Sequence, residues 1–269
     1  MTEAVTAAPS RTAAAVRLRG VSKAFGSGTS SLLALDQVSL DAAPGEFVCL
    51  LGASGCGKST LLNLVAGLDR VSAGTIDTEG ARVALMFQEP ALFPWLNVTA
   101  NIELALKMRG VPRPDRRPRA AELLDSVHLG GFAKKRPHQL SGGMRQRVAL
   151  ARALALTEDD GNGSGGRGTV LLMDEPFGAL DAMTRDLLHD EIERIWRERG
   201  LTVLFVTHNV REAVRLGDRV VLLSSRPGRV VQEFPVPFER PRRIDSTEVA
   251  ELAAAITDRL REEVGRHGA

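Results

Sequence analysis

Apolar positions along this chain fall into two rhythms. Short runs rich in Val, Leu and Ile occur at residues 15–18, 38–40, 47–51, 83–87, 170–173, 203–206, 220–223 and 230–234. Runs of that length without polar alternation predict strands buried on both faces. Between them, apolar residues recur at helical spacing over 59–66, 99–108, 119–127, 142–155, 183–198, 210–216 and 247–264. Leu188, Ile192 and Ile195 share one helix face, as do Val249, Leu252, Ile256, Leu260 and Val264, and such stripes read as core packing. Strands alternating with helices predict an α/β fold, a mainly parallel sheet covered on both faces and followed by a C-terminal helix. The last two runs flank Arg226-Pro227-Gly228-Arg229, a turn that predicts a hairpin and hence an antiparallel portion.

Breaks in the pattern set the domain organisation. Between Gln88 and Ser141 strand runs disappear, and helical segments interrupted by Pro112, Pro114 and Pro118 predict an inserted helical subdomain over about 89–140. Residues 157–168, with Asp159, Asp160 and several glycines, read as a mobile polar loop. The Ala- and Thr-rich stretch 1–14 reads as disordered, 15–240 as one domain, and 241–269 as a helical extension.

The 269 residues are 43% hydrophobic and 25% charged with a net charge of +2, a balance that calls for no polyanion partner. Basic clusters at Arg113, Arg116, Arg117 and Arg119, at 134–136, and at Arg240, Arg242 and Arg243 lack interleaved aromatics and read as solvated surface. The two cysteines, Cys49 in an apolar run and Cys56 in a loop, exclude a disulfide framework and fit a reducing compartment. No window approaches the roughly 18 apolar residues of a membrane span, so a membrane role requires a partner.

Chemistry enters with Gly52-Ala53-Ser54-Gly55-Cys56-Gly57-Lys58-Ser59, which matches G-x-x-x-x-G-K-[ST] between a predicted strand and a predicted helix. Glycines there let backbone N–H groups wrap phosphates, Lys58 reaches β- and γ-phosphates, and Ser59 offers a hydroxyl to Mg²⁺. The buried run 169–173 delivers Asp174 and Glu175 at its carboxyl end, where open α/β sheets place ligands. Asp174 is the candidate for hydrated Mg²⁺, and Glu175 for orienting and deprotonating the attacking water. Leu140-Ser141-Gly142-Gly143-Met144-Arg145-Gln146-Arg147 opens another helix, a second start with free N–H groups and a positive dipole end.

This order of motifs resembles the nucleotide-binding subunit of ATP-binding cassette transporters over nearly everything from Val16 to Phe238. The resemblance implies a P-loop NTPase in which the phosphate loop and the adjoining Thr60 hold ATP with Mg²⁺. It implies that Gln88 touches Mg²⁺ and senses the γ-phosphate, that His208 contacts the γ-phosphate, and that Asp181 in Gly178-Ala179-Leu180-Asp181 lies at a dimer seam. Phe25 looks like the aromatic that stacks on adenine. Ser141, Gly142 and Gly143 are implied to cap the nucleotide of the other subunit of a homodimer. Met144 stands where the widely shared form of that motif has Gln, although the importer branch often carries Leu-Ser-Gly-Gly-Met-Arg-Gln-Arg.

Segments 92–98 and 226–243 look like importers of the nitrate, sulfonate and taurine type. That resemblance implies membrane permease subunits as partners, a solute-binding protein indirectly, and a peripheral place on the cytoplasmic face of the membrane. The proline-broken stretch 89–96, with Phe93 and Trp95, reads either as a groove for a permease helix or as packing within the helical subdomain. The rival reading is a soluble cassette acting on nucleic acid; it goes with long coiled-coil insertions or two cassettes in one chain, and neither is present.

Overall fold

The computed structural model describes residues 15–26, 31–157, 168–178 and 180–265. The expected disordered segment 1–14 and most of the expected mobile loop 157–168 lie outside those residues.

The predicted apolar runs form β3 (Phe47–Leu51), β5 (Arg82–Met86), β6 (Thr169–Asp174), β7 (Thr202–Thr207), β8 (Arg219–Leu223) and β9 (Val230–Pro235). They make a six-stranded sheet in the order β5-β6-β7-β3-β8-β9, every neighbouring pair parallel except the β8–β9 hairpin. Side chains alternate between two cores because successive strand residues point to opposite faces. Phe47, Cys49, Leu51, Met173 and Phe205 face a helical layer. Val48, Leu50, Leu172 and Val206 face α1 (Lys58–Val65) and a second sheet.

That second sheet, β2-β1-β4, is antiparallel and comprises β1 (Val16–Phe25), β2 (Leu32–Ala42) and β4 (Ala73–Asp77). The runs predicted at 15–18 and 38–40 cover only the start of β1 and the later part of β2. Their remainders alternate, with Leu18 and Val21 buried and Arg19 outward, so the apolar run is short although the strand is long. β4 is absent from the sequence prediction because Ala-Gly-Thr-Ile-Asp has no apolar run and almost no buried position. It is a strand through its pairing with β1, as in Leu18 opposite Ile76.

The helical layer contains α2 (Val98–Met108), α3 (Arg113–Ser126), α4 (Gly142–Ala155), α5 (Ala182–Arg199), α6 (Val210–Leu216) and α7 (Thr247–Gly265). α3 begins six residues before its predicted start at 119. Pro114 falls in the first turn, where a missing N–H breaks no helical bond, and Arg116 Nε ties that turn to Val111 O at 2.7 Å. α4 packs against both α2 and α3.

Arg240 and Arg242 correct the expectation of solvated surface. The Arg242 guanidinium, 6% exposed, donates to Val214 O, Gly217 O, Val236 O and Phe238 O at 2.5–3.1 Å, sealing the carbonyl end of α6. Its burial lowers its pKa to about 10. Arg240 stacks 4.5 Å over Trp196 and bonds Asp218 at 2.8 Å. Among the described residues, no helix is long and apolar enough to cross a membrane.

Candidate active site

The loop after β3 turns sharply into α1, and Gly57 makes the turn with φ of 103°. A Cβ there would lie 2.7 Å from Leu35 Cδ2 and 2.9 Å from Ala34 O, so only glycine fits. The first N–H groups of α1 have no intrahelical acceptor and open toward a cleft of about 400 Å³. Lys58, 5% exposed, turns its Nζ back to Gly52 O at 2.8 Å and Ala53 O at 3.0 Å. Cys56 is buried, and burial pushes its thiol up.

β6, β7 and β3 are sheet neighbours, so their carboxyl ends arrive side by side at this cleft. Asp174 ends β6. Its pKa is raised by burial first and by Glu175 second, against lowering by a Ser59 hydroxyl hydrogen bond and by the Lys58 charge. Glu175 has φ of 41°, a left-handed conformation that a non-glycine residue holds only under constraint from its surroundings. Its N–H donates to Val206 O at 3.0 Å, fastening it to β7. His208 follows β7, and its Nδ1 lies 2.9 Å from Glu175 Oε2.

Phe25, Ser54, Gly55, Thr60, Gln88 and Glu175 line the same cleft as Lys58 and Ser59. Phe25 ends β1 with Lys23 Nζ 4.9 Å from its ring centroid. Gln88 follows β5, and its carbonyl accepts from Gln146 Nε2 of α4 at 2.9 Å. Arg226 also lines the cleft and donates to Gly55 O at 3.0 Å and 3.1 Å. Sequence reasoning took Arg226 only as part of a hairpin turn and Gln146 only as motif, since their places depend on which strands and helices become neighbours.

Ser141, Gly142, Gly143 and Asp181 are not among the described residues lining the cleft. Ser141 caps α4, its Oγ accepting from Met144 N at 3.3 Å, and both Ser141 and Gly142 are exposed. Gly143 is buried, since a Cβ there would lie 2.4 Å from Thr184 Cγ2. Asp181 caps α5, accepting from Thr184 N at 2.9 Å, and that backbone bond holds its carboxyl below the usual range. Two helix starts therefore sit together at Gly143 and Thr184, and neither is among the described residues lining the phosphate-loop cleft.

The ABC transporter family model matches residues 35–178. An aliphatic sulfonates import ATP-binding protein, SsuB 1 of Mesorhizobium japonicum, is 45% identical over 91% of this chain and 88% of its own length. A taurine import ATP-binding protein, TauB of Burkholderia pseudomallei, is 45% identical over 82% of this chain and 84% of its own. A nitrate import ATP-binding protein, NrtD of Synechocystis, is 42% identical over 82% of each. Among solved structures, the dimeric post-hydrolysis state of the ATP-binding cassette MJ0796 bound to ADP and Pi aligns with a TM-score of 0.70 and 34% identity. That alignment covers 83% of this chain and all of the other.

Proposed function

The chain belongs to the ABC transporter family, as an ATP-binding ATPase, and from that footing we propose that it powers a membrane importer of a small anion. The sulfonate, taurine and nitrate names of its relatives support this cargo class and lend nothing to the nucleic-acid alternative. Two copies close on two ATP molecules and drive permease subunits at the cytoplasmic face of the membrane, while a solute-binding protein presents cargo from the other side. The observation that supports the reading is that the phosphate loop and Glu175 line one cleft, with Asp174 bonded by Ser59 and His208 bonded to Glu175, while the Ser141 helix start is not among the described residues lining it.

Within this reading, loop N–H groups from Gly52 to Thr60 wrap the phosphates, and Lys58 exchanges the carbonyls of Gly52 and Ala53 for phosphate oxygens. Phe25 stacks on adenine. Glu175 orients the attacking water and accepts its proton, and His208, bonded to Glu175, faces the γ-phosphate. Gln88 reports the γ-phosphate to α4 through its carbonyl bond with Gln146.

Magnesium suits the donors present: Asp174, whose burial disfavours a bare charge, the Ser59 hydroxyl bonded to it, and the Gln88 amide. Among the described residues no group of three or more His, Cys, Asp or Glu could hold an ion unaided, which accords with a metal shared with phosphate oxygens. When bound, the ion supplies neutralisation of triphosphate charge.

Ser141, Gly142 and Gly143 of the partner subunit cap each nucleotide, and Asp181 lies at the seam. Shifting a dimer from mostly open to mostly closed takes about 5.5 kcal/mol of differential binding. Charge-assisted hydrogen bonds contribute roughly 1.5–3 kcal/mol each, so a few donors at two nucleotides suffice.

The test is Glu175→Gln, expected to bind ATP without cleaving it and to elute as a stable dimer in ATP and Mg²⁺. A variant that stays monomeric there overturns the nucleotide clamp.

A further inference from the structure

α5 buries one imidazole: His189 is fully buried beside Leu188 and Ile192, on a helix that also buries Glu191 and Glu193. Its ring meets Phe177 edge-on at 5.4 Å, and Phe177 follows Glu175 by two residues. The direction of each bond around it is determined. A guanidinium only donates, so Arg215, 3.1 Å away, makes Nδ1 the acceptor, and Nε2 carries the hydrogen donated to Glu212 Oε1 at 2.6 Å. The other Glu212 oxygen accepts from the Thr207 hydroxyl, and the Thr207 oxygen accepts from Asn209 N at 3.0 Å. Arg215 is anchored in turn by Asp186 and Asp190.

This buried chain ends on both sides of His208. Thr207 closes β7 before it, and Asn209 caps α6 after it, accepting from Arg211 N and Glu212 N. The His208 ring is itself 63% exposed, so burial does not place it and its neighbours in the backbone must. The bonds joining His189, Glu212, Thr207 and Asn209 form a connected, directed set, and such buried networks stiffen the backbone they tie.

We propose that His189 is a positioning residue: through Glu212 and Thr207 it sets the backbone of His208, and so the 2.9 Å approach of His208 to Glu175. The proposal rests on the roles given above to Glu175 and His208.

The experiment compares His189→Leu and His189→Gln in the full chain, with ATP turnover measured over a range of ATP concentrations and melting temperature recorded for each variant. His189→Leu is expected to lower kcat by about 10- to 100-fold with KM within about twofold, the signature of misplaced reacting groups. His189→Gln, whose amide keeps one acceptor and one donor, is expected to restore kcat to within about threefold of wild type. In a His208→Ala background, His189→Leu should produce no further loss. Wild-type kcat in His189→Leu below its melting temperature overturns the proposal, as does a full additional loss on top of His208→Ala. Full turnover in His208→Ala alone removes the footing of the proposal, and is seen without touching His189.

Discussion

At the scale of single residues, the site holds a carboxylate in a place unkind to its charge. Asp174 has its pKa raised chiefly by burial and then by Glu175, so the folded, nucleotide-free protein holds this proton more tightly than the unfolded chain does. Stability is then lost as pH rises through the window above the ordinary Asp value, and is regained on acidification. Asp174→Asn should therefore melt higher than wild type near neutral pH without nucleotide, and the difference should shrink as the pH falls toward the ordinary Asp value of about 3.9. The same change should cut ATP turnover by at least about 100-fold, the scale of losing one preorganised electrostatic group, here the carboxylate proposed to hold Mg²⁺. A thermal shift that stays constant or widens on acidification contradicts the assignment. Asp174 and the phosphate loop are legible in sequence because their residues are consecutive and their flanking elements carry strong apolar patterns. His189 and Arg226 are not: one looks like any polar member of a helix and the other like any turn residue until β7 and β8 are seen beside β3.

At the scale of elements, the buried runs were legible almost to the residue, since β3 and α4 match their predicted spans and the β8–β9 hairpin forms across its Pro-Gly turn. β4 and the start of α3 were not, because each owes its form to contacts with distant chain rather than to local pattern. The stretch between β5 and α2 shows how such contacts shape a surface. Asn101, fully buried, accepts from Phe93 N at 2.8 Å and donates to Asn97 O at 3.0 Å, while Arg152 donates to Pro90 O at 2.9 Å and Ala91 O at 2.6 Å. The backbone is thus held from within, leaving Trp95 69% exposed with Phe93 37% exposed at 5.5 Å from it. Because the segment does not depend on Trp95 for its shape, Trp95→Asp should change folding stability by no more than about 0.5 kcal/mol. It should also leave ATP binding intact while abolishing co-purification with a membrane permease, in keeping with a docking role for this segment. Unchanged co-purification would assign Trp95 to the surface of the helical cluster alone.

At the scale of the whole molecule, the proposed pairing of the phosphate-loop cleft of one chain with the Ser141 helix start of another determines what one chain can do. If Ser141 serves the nucleotide of a second copy, two damaged chains can repair each other. A Lys58→Ala chain keeps a sound Ser141 edge beside a failed pocket; a Ser141→Arg chain keeps a sound pocket beside a failed edge. The second substitution removes only an exposed cap, worth about 1 kcal/mol, so the fold survives it. In a mixed pair, the pocket of the Ser141→Arg copy meets the intact edge of the Lys58→Ala copy, and one of the two sites is whole. Each variant alone should be nearly inactive, while an equimolar mixture should recover about a quarter of wild-type turnover, since roughly half of randomly formed pairs are mixed. Recovery should rise with total protein concentration, because pairing is a mass-action step. If Ser141 instead acted within its own chain, no mixture would exceed the sum of its parts, and a flat response across mixing ratios would return the second helix start to a purely structural role.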